Sequence, residues 1–300
     1  MNGGAVAALG LHCNPYFFRA AWCVRRLQIA WSRGPGLRMS LEPLMKRISV
    51  IAAAAVAVLA TAGAHARSLD AIQKDVTLRL ATEGYYAPFA YFEGKKLTGF
   101  EVDLAELMAQ KMGLKFEWKT ISFDALLTGL KQDRWDLVIS SHGITPAREK
   151  AVTFTAPHYC SGAQVIATDP AIKAGKDLAG KTISAQTGTT YLEYVQKNVP
   201  GVKRVVNFPT NEAAMNALMT KRADAWVTER FLAKEMLQKN KKIQFNQGEL
   251  LFVEKIAAAV SLGNQPLADA WNQAFAQSLA DGSYAKISQK WFQEDIRCPE

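Results

Sequence analysis

Ser140-Ser141-His142-Gly143-Ile144-Thr145-Pro146-Ala147-Arg148 has the residue types and spacing to hold a small carboxylate. The apolar run Leu137-Val138-Ile139 just before it predicts a short buried strand. Thr145 followed by Pro146 predicts a helix N-cap and first helical position. Arg148 then falls in the first helical turn, where the positive end of the helix dipole disfavours a cation. A bound anion removes that conflict, because a guanidinium grips a carboxylate through two parallel hydrogen bonds. The hydroxyls and N–H groups from Ser140 to Thr145 add donors. The competing reading is a surface arginine paired with Glu149 or Asp136.

Four other segments could meet Arg148. Thr82-Glu83-Gly84-Tyr85-Tyr86-Ala87-Pro88-Phe89 ends a strand with an acid and an aromatic cluster. Ser122-Phe123-Asp124 places an aromatic at a helix start. Gln186-Thr187-Gly188-Thr189-Thr190 leaves a strand for a helix N-terminus, with free N–H groups and hydroxyls suited to an anion. Ala223-Asp224-Ala225-Trp226-Val227-Thr228-Glu229 ends a strand in a carboxylate. Arg148 and the helix-terminus donors could take an α-carboxylate, Glu229 an α-ammonium, and Tyr86 with Phe123 could sandwich a side chain. Taken singly, each has a plainer account: core or rim aromatics, a solvated helix-start acid, a capped turn. Five such strand–helix junctions in one chain favour the binding reading.

The elements that must position these groups alternate. Leu78–Thr82, Phe116–Trp118, Leu137–Ile139, Ala163–Thr168, Thr182–Ala185, Val202–Val206, Ala223–Thr228 and Ile256–Ser261 are predicted strands. Phe100–Met112 carries Phe100, Leu104, Leu107, Met108 and Met112 on one helical face. Ser122 opens a helix bearing Leu126, Leu127 and Leu130. Thr189–Asn198, Thr210–Lys221, Arg230–Asn240, Gln265–Ala280 and Ser283–Gln293 complete the predicted helices. The pattern is α/β with parallel sheets expected. No helix separates the extended segments around Tyr159–Gly162, which predicts a break between two α/β halves. Ligands in such sheets gather at the carboxyl ends of strands, where Ser140, Gly188 and Glu229 fall.

Met45-Lys46-Arg47, the apolar stretch Ile48–Thr61 and Ala64-His65-Ala66 form the three parts of a secretory signal peptide. Cleavage is expected after Ala66, with residues 45–66 as the signal and residues 1–44 as an extension from a start assigned too early. The true initiator is then Met45 or Met39; an uncleaved anchor or a second targeting signal is the alternative. Residues 1–66 carry seven Lys or Arg and one acid, so the formal +9 of the chain falls to +3. That leaves no basic excess to support nucleic-acid binding. Cys160 and Cys298 are an even pair in an exported chain, which suggests a disulfide; two unrelated thiols are the alternative. After residue 66 the histidines are His142 and His158, too few for a zinc-type cluster. Gly175-Lys176-Asp177-Leu178-Ala179-Gly180-Lys181-Thr182 fits a phosphate-binding loop by letters. It lacks the preceding strand and following helix that the chemistry requires, so it is rejected and no cofactor is expected.

Many segments in order resemble the amino-acid-binding solute receptors of ABC importers. They include Tyr86-Ala87-Pro88-Phe89, Gly99-Phe100-Glu101-Val102-Asp103-Leu104-Ala105, Phe123-Asp124-Ala125-Leu126, Ile144-Thr145-Pro146-Ala147-Arg148, Gly188-Thr189-Thr190 and Asp281-Gly282-Ser283-Tyr284 before Lys290-Trp291-Phe292. The resemblance spans about Val76–Phe292. It implies a periplasmic, monomeric, non-enzymatic receptor of the type II two-lobe hinge fold. Residues 67–159 with 256–300 would form one lobe and 160–255 the other. Such a receptor captures an amino acid and delivers it to inner-membrane permease subunits. It also implies that Arg148 binds the ligand carboxylate with Thr189, Thr190 and backbone from Ser141 to Gly143. Glu229 and Glu83 stand where the family commonly has Asp, and Gly143 offers only backbone where a hydroxyl is common. A bridge between Cys160 and Cys298 would pin the C-terminus near the crossing. A cyclohexadienyl dehydratase on the same fold is the enzyme alternative, with Glu83 or Glu229 as its acid.

Overall fold

The computed structural model describes residues 66–239 and 244–299. The expected extension and all but the last residue of the signal peptide lie outside the described residues. Among those described, no helix is long and apolar enough to cross a membrane.

In chain order the elements are α1 (Leu69–Asp75), β1 (Thr77–Thr82), β2 (Tyr85–Tyr86), β3 (Ala90–Glu93), β4 (Lys96–Thr98), α2 (Phe100–Lys111) and β5 (Lys115–Thr120). There follow α3 (Phe123–Lys131), β6 (Leu137–Val138), α4 (Pro146–Glu149), β7 (Val152–Phe154) and β8 (Tyr159–Ala167). Next come β9 (Thr182–Gln186), α5 (Thr190–Asn198), β10 (Arg204–Phe208), α6 (Asn211–Met219), β11 (Ala225–Glu229) and α7 (Arg230–Lys239). The chain closes with β12 (Asn246–Ile256), β13 (Ala259–Ser261), α8 (Gln265–Ala280) and α9 (Ser283–Phe292).

Two five-stranded sheets organise the molecule, in the orders β5-β1-β6-β13-β7 and β10-β9-β11-β8-β12. In the first, β5, β1 and β6 are parallel and β13 runs against its neighbours. In the second, β10, β9 and β11 are parallel while β8 and β12 are antiparallel. The expectation of parallel sheets therefore holds for the strands joined by helices, as right-handed crossovers require. The strands that pass between sheets return in the other direction. The passages lie at residues 155–158 and 257–258, side by side: Thr155 N–H donates to the Ala258 carbonyl at 2.9 Å and His158 N–H to Ile256 at 2.9 Å.

The apolar faces that the helical period predicted are buried: Phe100, Leu104 and Met108 on α2 pack with Leu78, Leu80 and Trp271. Ala163, Val165, Ile183, Val195 and Val227 form a core beneath the second sheet. The disputed loop at Gly175 makes a 3₁₀ turn, and Thr182 begins a strand, so the phosphate-loop rejection stands. Cys160 and Cys298 are joined as a disulfide, with Cα atoms 4.6 Å apart.

Candidate functional site

The site begins at strand ends. β1 ends at Thr82 and hands the chain to Glu83; β6 hands it to Ser140 and Ser141; β9 ends at Gln186; β11 ends at Glu229. Thr145 caps α4 as expected, its hydroxyl accepting from Arg148 N–H at 3.2 Å. Helix α4 is only four residues long, so its dipole is weak, and Arg148 is not held by either acid of the surface reading. Asp136 instead pairs with Arg67 and Arg79.

Arg148 spans the two sheets. Its Nη1 donates to the Gly143 carbonyl at 2.8 Å and its Nη2 to Gly188, beyond the other sheet's β9, at 2.9 Å. Its guanidinium carbon lies 5.8 Å from the Phe123 ring centroid. Two of five N–H donors are thus used, and three stay free to grip an oxyanion. Among the described residues, no carboxylate lies within ion-pair distance of it. Burial lowers its pKa, which the nearby Glu254 charge opposes.

Arg148, Phe123, Tyr86 and Ser140 meet Ser141, Gln186, Thr189 and Thr190 around one small cavity. Tyr191 completes the wall. Phe123 stacks on His142, ring centroids 4.3 Å apart. His142 is buried, and burial first, then the Arg148 charge, push its pKa well below the usual range. It is therefore a neutral support for the Phe123 wall. Trp226 is buried in the core with its Nε1 donating to Asn211 Oδ1 at 3.2 Å.

Several hydroxyls expected at the ligand are already committed. Thr189 caps α5, accepting from Leu192 N–H at 3.2 Å while donating to the Gln186 carbonyl at 2.8 Å. Ser141 has φ of 53° and is fixed by Glu101, whose carboxylate accepts from Ser141 N–H at 2.8 Å and from its hydroxyl at 3.0 Å. His158 Nε2 lies 2.9 Å from the same carboxylate. Ser140 Oγ accepts from Glu83 N–H at 3.2 Å. What remains for an anion is the Arg148 fork and the backbone at the start of α5.

The acids divide into two kinds. None of Glu83, Glu229 and Glu254 is in the lining of the cavity; they differ in how they are bonded. Ser161 donates to one oxygen of Glu229 and Leu232 N–H to the other, the latter at 2.7 Å, so Glu229 caps the start of α7. Glu83 receives one bond, from Gln186 Nε2 at 2.7 Å, and its other oxygen is buried without a partner. Burial raises both carboxyls from 4.5 to about 7. Gly143 lies beside the seat, its carbonyl taken by Arg148, and the position of its missing Cβ is filled by Glu254: a methyl there would sit 1.9 Å from Oε2.

Sequence reasoning missed Glu101, Tyr191 and Glu254. Glu101 was visible as an acid in the first turn of a helix after a glycine. Glu254 reaches the site only through non-local strand pairing. No His, Cys, Asp or Glu cluster among the described residues could hold a metal ion.

Residues 78–294 match the model of the bacterial extracellular solute-binding proteins, family 3. The L-cystine-binding protein TcyJ of Escherichia coli K12 is 32% identical over 233 residues, covering 76% of this chain and 87% of that protein. A solved ancestral arginine-binding protein bound to arginine superposes with a TM-score of 0.69 at 34% identity, covering 72% of this chain and 98% of that one. The ancestral amino acid-binding protein AncCDT-1, a precursor of cyclohexadienyl dehydratase, superposes at 0.70 with 30% identity, covering 75% and 99%. Sequence, two-sheet fold and strand-end cavity agree: the chain belongs to the bacterial extracellular solute-binding proteins, family 3.

Proposed function

We propose that the protein captures an amino acid with a cationic side chain between its two halves and passes it to the membrane subunits of an ABC importer. The observation that carries this is Arg148, a half-buried guanidinium with three unused donors and no carboxylate partner among the described residues. A ligand α-carboxylate would sit on that fork and on the N-terminal amides of α5. Tyr86 and Phe123 would flank the side chain. Glu83 would receive its cationic end, because a buried carboxylate with one unpartnered oxygen gains most from an opposite charge.

In this reading residues 67–159 with 256–300 move against residues 160–255 about the paired passages. A ligand contacting both halves favours the closed form by the free energy of those added contacts. The protein is exported after removal of residues 45–66 and acts as a monomer in the periplasm. The arginine-bound ancestral protein supports the cationic ligand class. The dehydratase reading has less behind it: even the neighbour that preceded such an enzyme is a binding protein.

A thermal-shift screen of the mature protein against the common amino acids, L-cystine and opines tests this. Arginine, lysine or ornithine should raise the melting temperature most. Arg148→Ala should weaken binding roughly 100-fold, the cost of stranding a buried ionic partner. A wild-type-like affinity in that variant would refute the carboxylate seat.

A further inference from the structure

We infer that Glu254 receives the ligand's α-ammonium, taking the place expected of Glu229. This rests on the amino-acid reading above and adds to it a residue outside the expected site. The two glutamates share one face of the second sheet. Glu254 pairs with Ser161 across β12 and β8, Ser161 and Ala163 lie two apart on β8, and Ala163 pairs with Glu229. Directly opposed residues and i, i+2 neighbours point to the same side. Both acids therefore lie on the same face of that sheet.

They differ in what they have left to give. Glu229 has a donor on each oxygen. Glu254 accepts from Thr190 Oγ1 at 3.1 Å through Oε1, while Oε2 is buried without a donor. An α-ammonium is bonded to the same carbon as the α-carboxylate, so its acceptor must stand next to the anion seat. Glu254 does: it touches Thr190 at the start of α5, reaches over Gly143, and acts electrostatically on Arg148. Ionised beside Arg148 and without an ammonium, it would weaken the seat for a carboxylate. With a zwitterion bound, the two opposite charges are both met.

Paired ligands test this without relying on stability. Calorimetric titration of wild type, Glu254→Gln, Glu229→Gln and Arg148→Ala would use L-arginine with 5-guanidinopentanoate, and L-lysine with 6-aminohexanoate. Each second compound lacks only the α-amino group. Glu254→Gln is expected to lose roughly tenfold or more for the amino acid, while the des-amino partner binds it as well as it binds wild type or more tightly. Arg148→Ala should weaken both members of a pair. Equal loss for both members in Glu254→Gln, tighter binding of both, or loss of discrimination in Glu229→Gln instead would each overturn the assignment. Failure of the wild type to bind either amino acid would overturn the cationic reading itself, a different result from a wild type that binds and a Glu254 variant that behaves like it.

Discussion

Arg148 and Gly188 are joined across the cleft: the guanidinium Nη2 donates to the Gly188 carbonyl at 2.9 Å. Gly188 reaches that position with φ of 79°, and a Cβ on it would stand 3.2 Å from the Asp124 Cβ. A residue without a side chain, in a left-handed conformation, therefore lets the start of α5 close onto the start of α3. The same closure brings Gln186 to Glu83 at 2.7 Å. The cavity thus lies at a seam between the two sheets.

Gly143 and Glu254 should behave as a coupled pair. Gly143→Ala puts a methyl 1.9 Å from Oε2 of Glu254 and forces that carboxylate off Thr190. We expect a loss of roughly 1–3 kcal/mol in wild type and much less in a Glu254→Ala background. Urea denaturation of the four proteins gives the coupling; additive losses would contradict the contact.

Stability of the ligand-free protein should fall as pH rises from about 4.5 to about 7. Glu83 and Glu229 are buried and titrate near 7 when folded, against 4.5 ordinarily, so between those values the folded state holds more protons than the unfolded one. Their stabilising contribution is full below 4.5 and lost as pH passes through 7. Affinity for a cationic ligand should run the opposite way, rising through the same window as Glu83 ionises. Denaturation and titration from pH 4.5 to 8 check both, and Glu83→Gln should flatten each curve.

How far these features could be read in advance depends on where their partners lie. Helix α2 was legible because Phe100, Leu104 and Met108 recur at a helical period and are buried accordingly. Arg148 was legible because Thr145-Pro146 fixes a local cap three residues before it. Strand β12 was not: Asn246–Ile256 is an edge strand with two register shifts against β8, so its apolar and polar residues do not alternate. Missing β12 meant missing Glu254, whose place is set by pairing with Ser161, 93 positions earlier in the numbering. Glu229 was rightly placed at a strand end, but its role in capping α7 depends on Ser161 and the turn that follows it.

Reducing Cys160–Cys298 should destabilise the protein. The bridge closes a sequence separation of 138 residues, for which chain entropy gives at most about 5 kcal/mol. It fastens the tail where Cys160 N–H already donates to the Ile296 carbonyl at 3.3 Å. We expect Cys160→Ala/Cys298→Ala to lose roughly 2–5 kcal/mol with ligand affinity little changed, since neither cysteine borders the cavity. Equal melting temperatures with and without reductant would contradict a stabilising bridge.

A crystal structure of the mature protein grown with L-arginine tests the central claim most directly. The ligand's α-carboxylate should accept from free donors of Arg148 and from the first amides of α5, with its guanidinium toward Glu83 between Tyr86 and Phe123. A ligand held elsewhere, or one whose carboxylate avoids Arg148 while that side chain turns to solvent, would contradict it.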